Sequence, residues 1–296
     1  MFFNGVFIFM CISLVVLPGL VMPVAFFLPS MYYIWSGRLV NKRFLLLSLA
    51  PLLLAFIPAC LQGAIIYGCM LGFSVIQKIY IDKGRPGLSV LLPSAFLVMI
   101  FMIYLGIRAY MLSKGPLFVM NQWVHQMMDQ VAGVYEHMLT KDQLMEFRIN
   151  RPTMEHRIVM LMPVLVTLMI SLVAWLNLII VSNVKQGLEL RNWRSPEWLV
   201  YAFIAAGVMT LVPSRPVSIV GVNAIGLLLI VYFFQGMAII AFYLYLNRWK
   251  LFIKVIIYVL IFTQLYIMFI VAGLGLFDTW FDFRTRISNR RKGDTA

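Results

Sequence analysis

Residues 217–246 read VSIVGVNAIGLLLIVYFFQGMAIIAFYLYL, a stretch of 30 residues without a charged side chain. A helix needs about 20 apolar residues to cross the hydrocarbon core of a bilayer, so this stretch is long enough to span it. It is too long for a straight helix perpendicular to the membrane, and Gly236 offers a place to bend. The stretch predicts a protein built from membrane-spanning α-helices.

The composition of the whole chain supports the same conclusion. Of its 296 residues, 62% are hydrophobic and 12% are charged, whereas soluble domains have about 25% charged residues. The net charge of +13 comes from cations that flank the apolar runs, and no basic face is available to bind nucleic acid. We therefore expect the lipid bilayer to be the main partner of the chain.

Apolar runs separated by short charged stretches predict an all-α, polytopic protein with about eight transmembrane helices. The first run, residues 2–35, is one kinked span or two short ones, because its prolines allow both. Residues 44–80, whose only polar break is Gln62 with Pro58 and Gly63 beside it, are interpreted as two short spans joined by a tight turn. The remaining predicted spans are residues 88–111, 158–181, 198–212, 217–246 and 252–277.

These spans divide the chain into four regions. They are N-terminal membrane helices (1–112), an amphipathic extramembrane segment (113–156), C-terminal membrane helices (157–277) and a charged tail (278–296). Eight crossings put both termini on one side, but Lys and Arg divide equally between the two sides. The dense basic run at residues 290–292 favours cytoplasmic termini in a bacterial inner membrane.

The extramembrane segment contains an amphipathic helix. Apolar side chains recur at steps of four and three from Met120 to Met138. The polar face lacks Lys and Arg, which argues against a helix that lies on anionic lipid. Two interpretations remain open: a linker that covers the ends of the protein's own helices, or a helix that docks a partner through Val124 and Val131.

A capping box follows this helix. Thr140 and Gln143 have the spacing in which each side chain bonds the backbone N–H of the other residue. The pattern predicts a second short helix that starts here and ends at Pro152.

The predicted spans lack the groups that membrane chemistry normally needs. Their central parts contain no Asp, Glu, Lys, Arg or His, which are the side chains that hold or relay charge at membrane depth. The three cysteines lie inside apolar runs without metal-ligand spacing. We expect no catalytic residues, no metal and no cofactor, and hence a protein that is not an enzyme.

Amides are the main polar groups left at membrane depth. They are Asn177, Asn223, Gln235 and Gln264. Because lipid offers no hydrogen-bond partners, each amide should face the protein interior. They serve either as hydrogen-bonding contacts between helices or as a binding site for a neutral or weakly polar small molecule. The short segment 198–212 and the PSRP turn after it give the irregularity that often marks such a site.

Small residues four positions apart form another pattern. Ala55 is followed by Ala59, and Ala202 by Ala206. This spacing lets two helices approach closely. The contact is either packing within the chain or a docking face for another membrane subunit.

The last predicted span ends in residues 275–284, GLFDTWFDFR. Trp280 and the phenylalanines around it should place Asp278, Asp282 and Arg284 at the membrane interface. Arg284 is close enough in sequence to neutralise Asp278, and Asp282 pairs with Arg286 if the helix continues.

This closing segment resembles the corresponding motif of the YybS-like bacterial membrane proteins, a family of unknown function. Other positions share the resemblance: Asn177, Asn223, Gln235-Gly236, Pro196-Glu197-Trp198 and Met162-Pro163. The similarity covers most of the chain after about Met120. It implies a polytopic inner-membrane protein that is distantly similar to the S-components of energy-coupling-factor transporters. Those subunits bind a vitamin or similar solute and dock a partner through alanines spaced by four.

We therefore expect a small-solute-binding, transport-related membrane subunit. No glycine-rich nucleotide-binding loop with a lysine occurs in the sequence, so an ATPase subunit would be the partner that supplies energy. The alternative is a scaffold or assembly factor that docks another protein through its amphipathic helix.

Overall fold

A computed structural model describes residues 12–13, 26–37, 48–135, 138, 140–185 and 187–286. Within them, regular structure is helical and no strand occurs. The longer helices are α1 (Leu28–Ser36), α2 (Leu61–Asp82), α3 (Pro86–Met111), α4 (Pro116–Tyr135), α5 (Lys141–Ser182), α6 (Leu199–Leu211), α7 (Arg215–Leu246), α8 (Leu251–Thr263) and α9 (Leu265–Phe281). The 3-10 helices are Ala50–Phe56, Pro58–Cys60 and Leu190–Asn192.

Four helical segments of the described chain are long and apolar enough to cross a membrane: Pro58–Asp82, α3, α5 and α7. Helices α8 and α9 meet the same criterion together, but they are bent by 104° and form either a broken fifth span or a re-entrant loop. Most of the first predicted span and the basic run at 290–292 lie outside the described residues. The structure therefore supports an all-helical protein with four or five such helices.

The region predicted as two short spans is organised differently. Pro51 and Pro58 lie in 3-10 helices, and α2 then runs without a break from Leu61 through the expected turn at Gln62 and Gly63. Proline lacks the N–H that an α-helix needs and clashes with the preceding turn, so the regular helix begins after Pro58. One long helix replaces the expected pair.

Helix α5 joins two regions that the sequence analysis separates. Its N-terminus carries the predicted capping box: Gln143 N–H donates to Thr140 Oγ1 at 3.5 Å, and Thr140 N–H donates to Gln143 Oε1 at 3.1 Å. The predicted stop at Pro152 is wrong, since the helix continues through Pro152 and Pro163 for 42 residues. Such a helix is ~63 Å long, about twice the hydrocarbon thickness, so its charged N-terminal part extends beyond the membrane.

The final predicted span contains the break between α8 and α9. Gln264 has an extended backbone (φ −116°, ψ 107°) that interrupts the helix. Helix α7, in contrast, continues through Gly236, the residue that the sequence analysis gives as a place to bend. Glycine and proline are the usual signals for a break, and neither stands at position 264.

The chain divides into two compact units that interleave distant segments of sequence. Unit 1 comprises Met1–Leu97, Met169–Val200 and Leu229–Ala296, and unit 2 comprises Val98–Leu168 and Tyr201–Leu228. In the described part of unit 1, a core cluster contains Leu28, Tyr32, Cys60, Ala64, Tyr67 and Leu71. A cluster in unit 2 contains Leu105, Ala109, Val119, Met120, Val124, Met128 and Val159. The four regions of the sequence analysis are each one continuous stretch of the chain, whereas each compact unit combines stretches that are distant in sequence.

Candidate functional site

Helices α7 and α9 cross so closely in unit 1 that two glycines have no room for a side chain. A Cβ atom on Gly236 would overlap the backbone oxygen of Val271. A Cβ atom on Gly275 would overlap the backbone oxygen of Tyr232 and lie 2.7 Å from the nitrogen of Gly236. Small residues permit such crossings in membranes, and this one holds Gln235, the neighbour of Gly236, against α9.

Gln235 is the centre of a buried polar network. Its Nε2 donates to Oδ2 of Asp278 at 3.1 Å, and its Oε1 accepts hydrogen bonds from the N–H of Ser195 at 3.1 Å and from the Ser195 hydroxyl. Gln235 and Asp278 are each only 2% exposed. One amide therefore connects α7 to α9 and to the segment that precedes α6.

Two residues that follow Asp278 in the sequence also donate hydrogen bonds to its carboxylate. Its Oδ1 accepts the N–H of Phe283 at 3.0 Å, and its Oδ2 accepts Nη2 of Arg284 at 3.4 Å. This is possible because Asp282 ends α9 in the left-handed conformation (φ 41°, ψ 63°), which turns the chain back on itself. The predicted neutralisation of Asp278 by Arg284 is confirmed.

The same turn changes the partner of Asp282. The sequence analysis predicts a pair with Arg286 along a continuous helix, but the described Asp282 carboxylate pairs with Arg194 at 2.5 Å and accepts the hydroxyl of Thr285. The hydrogen bonds from Thr285 and Arg194 lower the pKa of Asp282. The expectation of a helical i,i+4 pair fails because the helix ends at Phe281.

Arg284 is buried beside this network. It is 5% exposed, and burial lowers the pKa of its guanidinium. Its Nε and Nη1 are buried with no hydrogen-bond partner among the described residues. Asp278 and Arg284, predicted at the membrane interface, are thus enclosed by protein, whereas Trp280 of the same segment is exposed.

An apolar cavity of about 450 Å³ lies between the C-terminal half of α7 and the bent α8–α9 pair. Its lining consists of Ile239, Ile240, Tyr243, Leu244, Trp249, Ile257, Leu260, Ile261, Ile267, Val271, Leu274 and Phe283. Tyr243 and Leu260 are themselves exposed, so the cavity opens to the surface of unit 1. Val271 and Phe283 also contact the glycine crossing and the polar network, so cavity and network share a wall.

The four amides predicted as a binding site do not share a hydrogen-bond partner. In unit 1, Asn177 donates to the backbone oxygens of Phe26 and Val173 and accepts the N–H of Ser30. In unit 2, Asn223 donates to the backbone oxygens of Met160 and Ile219, while its Oδ1 is buried without a partner among the described residues.

Both asparagines thus act as hydrogen-bonding contacts between helices, which is the alternative that the sequence analysis kept open. Gln264 is exposed at the break between α8 and α9. Of the four amides, Gln235 alone belongs to the polar network described above.

The two alanine pairs differ in their surroundings. Ala55 and Ala59 lie in separate 3-10 helices, so they do not form the continuous α-helical face on which the docking hypothesis depends. Ala202 and Ala206 share one face of α6, and Ala206 is buried. A Cβ atom on Gly221 of α7 would lie 3.0 Å from the backbone oxygen of Ala206, so this alanine packs against the chain's own helix.

The amphipathic helix α4 packs within unit 2. Val124 is buried in a cluster with Leu105 of α3 and Val159 of α5, so it is covered by the chain itself. Val131 is half-buried, and Val134 is exposed. The first part of this helix therefore packs against the chain's own helices.

A cluster of charges joins α4 to α5 outside the predicted span. Arg151 donates from Nη2 to Asp129 Oδ1 at 2.7 Å and from Nε to Glu155 Oε1 at 2.6 Å. His125 Nδ1 lies 3.1 Å from Glu155 Oε1. The hydrogen bond from Arg151 lowers the pKa of Asp129. In the described residues, no group of His, Cys, Asp and Glu side chains suits a metal ion.

Sequence reasoning missed three parts of the site. Ser195 and Arg194 lie in an irregular loop without any motif, and Phe283 looked like an interfacial aromatic residue. The cavity depends on the bend at Gln264, for which the sequence carries no signal. The pair Gln235-Gly236 was the available clue, because a buried amide next to a glycine indicates a close helix crossing.

A family model described as "Predicted membrane protein (DUF2232)" matches residues 6–279 of the chain. No curated protein and no solved structure matches it.

Proposed function

Since the chain belongs to the DUF2232 family of predicted membrane proteins, we propose that it is a binding protein within the membrane. It holds an apolar molecule, or the hydrocarbon part of an amphipathic one, in the cavity between α7 and the bent α8–α9 pair. The apolar cavity of about 450 Å³ is the observation that supports this proposal. Its volume falls in the range of ~300–1,000 Å³ found for ligand sites.

The position of the cavity favours binding as well. Membrane proteins commonly place ligand sites where helices are broken, and this cavity lies under the break at Gln264. One wall is fixed by the Gly236–Gly275 crossing and by the hydrogen bond from Gln235 to Asp278. A preformed wall lowers the cost of ordering the site when a ligand binds.

The finer form of the proposal is a transport-related subunit similar to the S-components of energy-coupling-factor transporters. The protein would be a non-enzymatic binding subunit of the bacterial inner membrane, with about eight crossings and both termini in the cytoplasm. Its energy would come from an ATPase subunit, because the sequence lacks a nucleotide-binding loop. The YybS-like closing motif and the apolar cavity support this form.

A scaffold or assembly factor is the second candidate function. It is favoured by α4, where Met127 and Val134 are exposed beside the buried residues of the same helix. These side chains offer a small apolar surface outside the predicted spans. A partner protein would be retained by this surface rather than by the cavity.

Cavity-filling variants test the binding proposal. The full chain is purified by mild detergent extraction and its bound small molecules are identified by mass spectrometry. We expect the wild type to retain a hydrophobic molecule that Ile240→Trp and Leu274→Trp lose, because each tryptophan projects a larger side chain into the cavity and reduces the space for the ligand. Leu265→Trp is the control, since Leu265 is exposed on α9 and does not line the cavity.

Equal ligand content in all variants would overturn the proposal. Proteins that co-purify in the same experiment separate the two functions. An ATPase lost in Leu274→Trp supports the transport-related form, whereas a partner lost in Val134→Asp but kept in Leu274→Trp supports the scaffold.

A further inference from the structure

The loop between α5 and α6 contacts the C-terminal ends of both α7 and α9. The guanidinium of Arg191 stacks on the ring of Tyr245, 3.6 Å from its centroid, and Tyr245 is the next-to-last residue of α7. Arg194 pairs at 2.5 Å with Asp282, the residue that follows α9. Within unit 1, one short stretch of chain therefore holds the two ends between which α8 and α9 lie.

These two contacts bear on whether α8 and α9 cross the membrane together. The three residues from Arg191 to Arg194 extend over at most ~10 Å, whereas the hydrocarbon core is ~30 Å thick. Both arginines are charged and avoid the hydrocarbon core, so one face of the membrane has to hold both contacts. A crossing by α8 and α9 would instead put Tyr245 and Asp282 on opposite faces.

The lengths of α8 and α9 agree with a path that turns back. The two helices have 13 and 17 residues, which makes them ~20 Å and ~26 Å long. Each is shorter than the ~30 Å of the hydrocarbon core. The bend of 104° between them prevents them from acting as one straight helix.

The backbone at the break is suited to a turn within hydrocarbon. The N–H of Gln264 donates to the oxygen of Leu260 at 3.2 Å, and the oxygen of Gln264 accepts the N–H of Ile267 at 3.0 Å. The hydroxyl of Thr263 donates to the oxygen of Val259 at 2.9 Å. Non-helical backbone at membrane depth needs partners within the protein, because lipid offers none. At Gln264 the chain itself provides them.

The apolar cavity reaches the two ends of the α8–α9 pair. Its lining includes Tyr243 and Trp249, which lie on either side of Tyr245 in the sequence, and Phe283, which follows Asp282. Tyr243 and Trp249 are 45% and 37% exposed. This exposed part of the lining therefore lies near the membrane face that holds the α5–α6 loop.

We propose that α8 and α9 form a re-entrant element, which enters and leaves the membrane on the face of the α5–α6 loop, and that the cavity takes its ligand from the leaflet on that face. The α5–α6 loop and the C-terminal tail then share one face, whereas eight crossings would place them on opposite faces. The path of the helices is independent of the proposed function, and the side of ligand entry rests on it.

Single cysteines test the path of the helices. In the full chain, Asn247→Cys lies before α8 and Arg286→Cys lies after α9, and both positions are exposed. A membrane-impermeant maleimide is applied to bacterial spheroplasts and, separately, to inverted membrane vesicles, with the wild type as the blank for the native cysteines. We expect both variants to react in the same preparation and neither to react in the other.

Two further cysteines are the matched controls. Gln130→Cys and Asn183→Cys lie before and after α5, which is long enough to cross the membrane, so they should react in opposite preparations. Asn183→Cys should react together with Asn247→Cys and Arg286→Cys. Reaction of the latter two in opposite preparations overturns the re-entrant element. Reaction of both controls in one preparation overturns it as well, because the α5–α6 loop then defines no face.

A one-sided lipid probe tests the entry of the ligand. Lysophosphatidylcholine with a photoreactive diazirine in its acyl chain is added to either preparation and photolysed at once, before its zwitterionic head group crosses the membrane. Labelling is measured at Ile261 and Val271, which line the cavity and are buried. We expect labelling only in the preparation that exposes the α5–α6 loop. Leu274→Trp should lose it, and Leu265→Trp should keep it.

The outcomes separate this inference from the proposed function. Equal labelling from both faces, or labelling only from the face opposite the α5–α6 loop, overturns the side of entry and leaves cavity binding intact. Absence of cavity labelling from either face overturns the proposed function, while the cysteine reactions still decide the path of α8 and α9.

Discussion

The side-chain amide of Gln235 donates a hydrogen bond to the carboxylate of Asp278 across the crossing of α7 and α9, at 3.1 Å. The two residues are 43 positions apart in sequence and both are almost completely buried. A buried carboxylate needs such donors because the interior offers no water. The bond couples the rigid glycine crossing to the wall of the cavity.

The glycine crossing predicts a large effect of a single methyl group. Gly236→Ala should destabilise the protein by about 3 kcal/mol, because its Cβ would overlap the backbone oxygen of Val271 and a backbone cannot move aside cheaply. Thermal unfolding of the purified protein in detergent measures the change. Gly273→Ala is the control: no atom lies within 4 Å of its Cβ position, so its stability should stay equal or rise by up to about 1 kcal/mol. Similar stabilities of the two variants would contradict the crossing.

The polar network predicts that the protein becomes less stable when the side-chain amide of Gln235 is removed. Gln235→Leu should reduce stability by about 2 kcal/mol or more, because Asp278 loses a donor and the Ser195 N–H and hydroxyl lose their acceptor inside the protein. Chemical unfolding followed by tryptophan fluorescence measures it. Gln264→Leu serves as the matched control, since Gln264 is exposed and makes no side-chain cap to α9. A Gln235→Leu protein as stable as this control would show that the network contributes nothing.

The packing of α4 predicts which of its valines matters for stability. Val124→Ala should lower the free energy of unfolding by about 2 kcal/mol, because it opens a cavity against Leu105 and Val159. Val134→Ala should change stability little, because that side chain is exposed. Hydrogen exchange of the α4 amides checks both: exchange should accelerate in the first variant and stay unchanged in the second. The opposite order would mean that α4 is held through its exposed side.

The ion pair between Arg151 and Asp129 predicts acid sensitivity of the α4–α5 contact. The hydrogen bond from Arg151 lowers the pKa of Asp129 in the folded protein. A lowered carboxylate pKa contributes stability above its unfolded value of about 3.9 and loses it as the pH falls through the folded value. The protection factors of the α4 amides, which are exchange rates corrected for the intrinsic effect of pH, should therefore fall below about pH 4.

Arg151→Gln should weaken this pH dependence, because Asp129 then loses its donor while the contact between His125 and Glu155 remains. Arg157→Gln, on the same helix, should retain it. An exchange profile in which Arg151→Gln matches the wild type at every pH would refute a role for the pair.

Some local features followed directly from the sequence. The reciprocal capping box of Thr140 and Gln143 forms as predicted, because capping depends on residues three apart. The interior position of Asn177 and Gln235 could also be predicted, since lipid cannot satisfy an amide. The continuation of α5 through Pro152 could not, because it depends on the surroundings of the helix rather than on the proline alone.

The sequence by itself determined that the chain is helical, that it is rich in long apolar helices, and that a charged pair, Asp278 and Arg284, lies at the end of the last of them. These properties follow from the solvation of each side chain and from spacing within one helix. Tertiary structure decided which segments meet: Ser195 with Gln235, Gln235 with Asp278, and the bend at Gln264 that forms the cavity. The physical reason is that apolar residues facing lipid and apolar residues facing other helices have the same character, so the sequence pattern does not show which helix faces pack together.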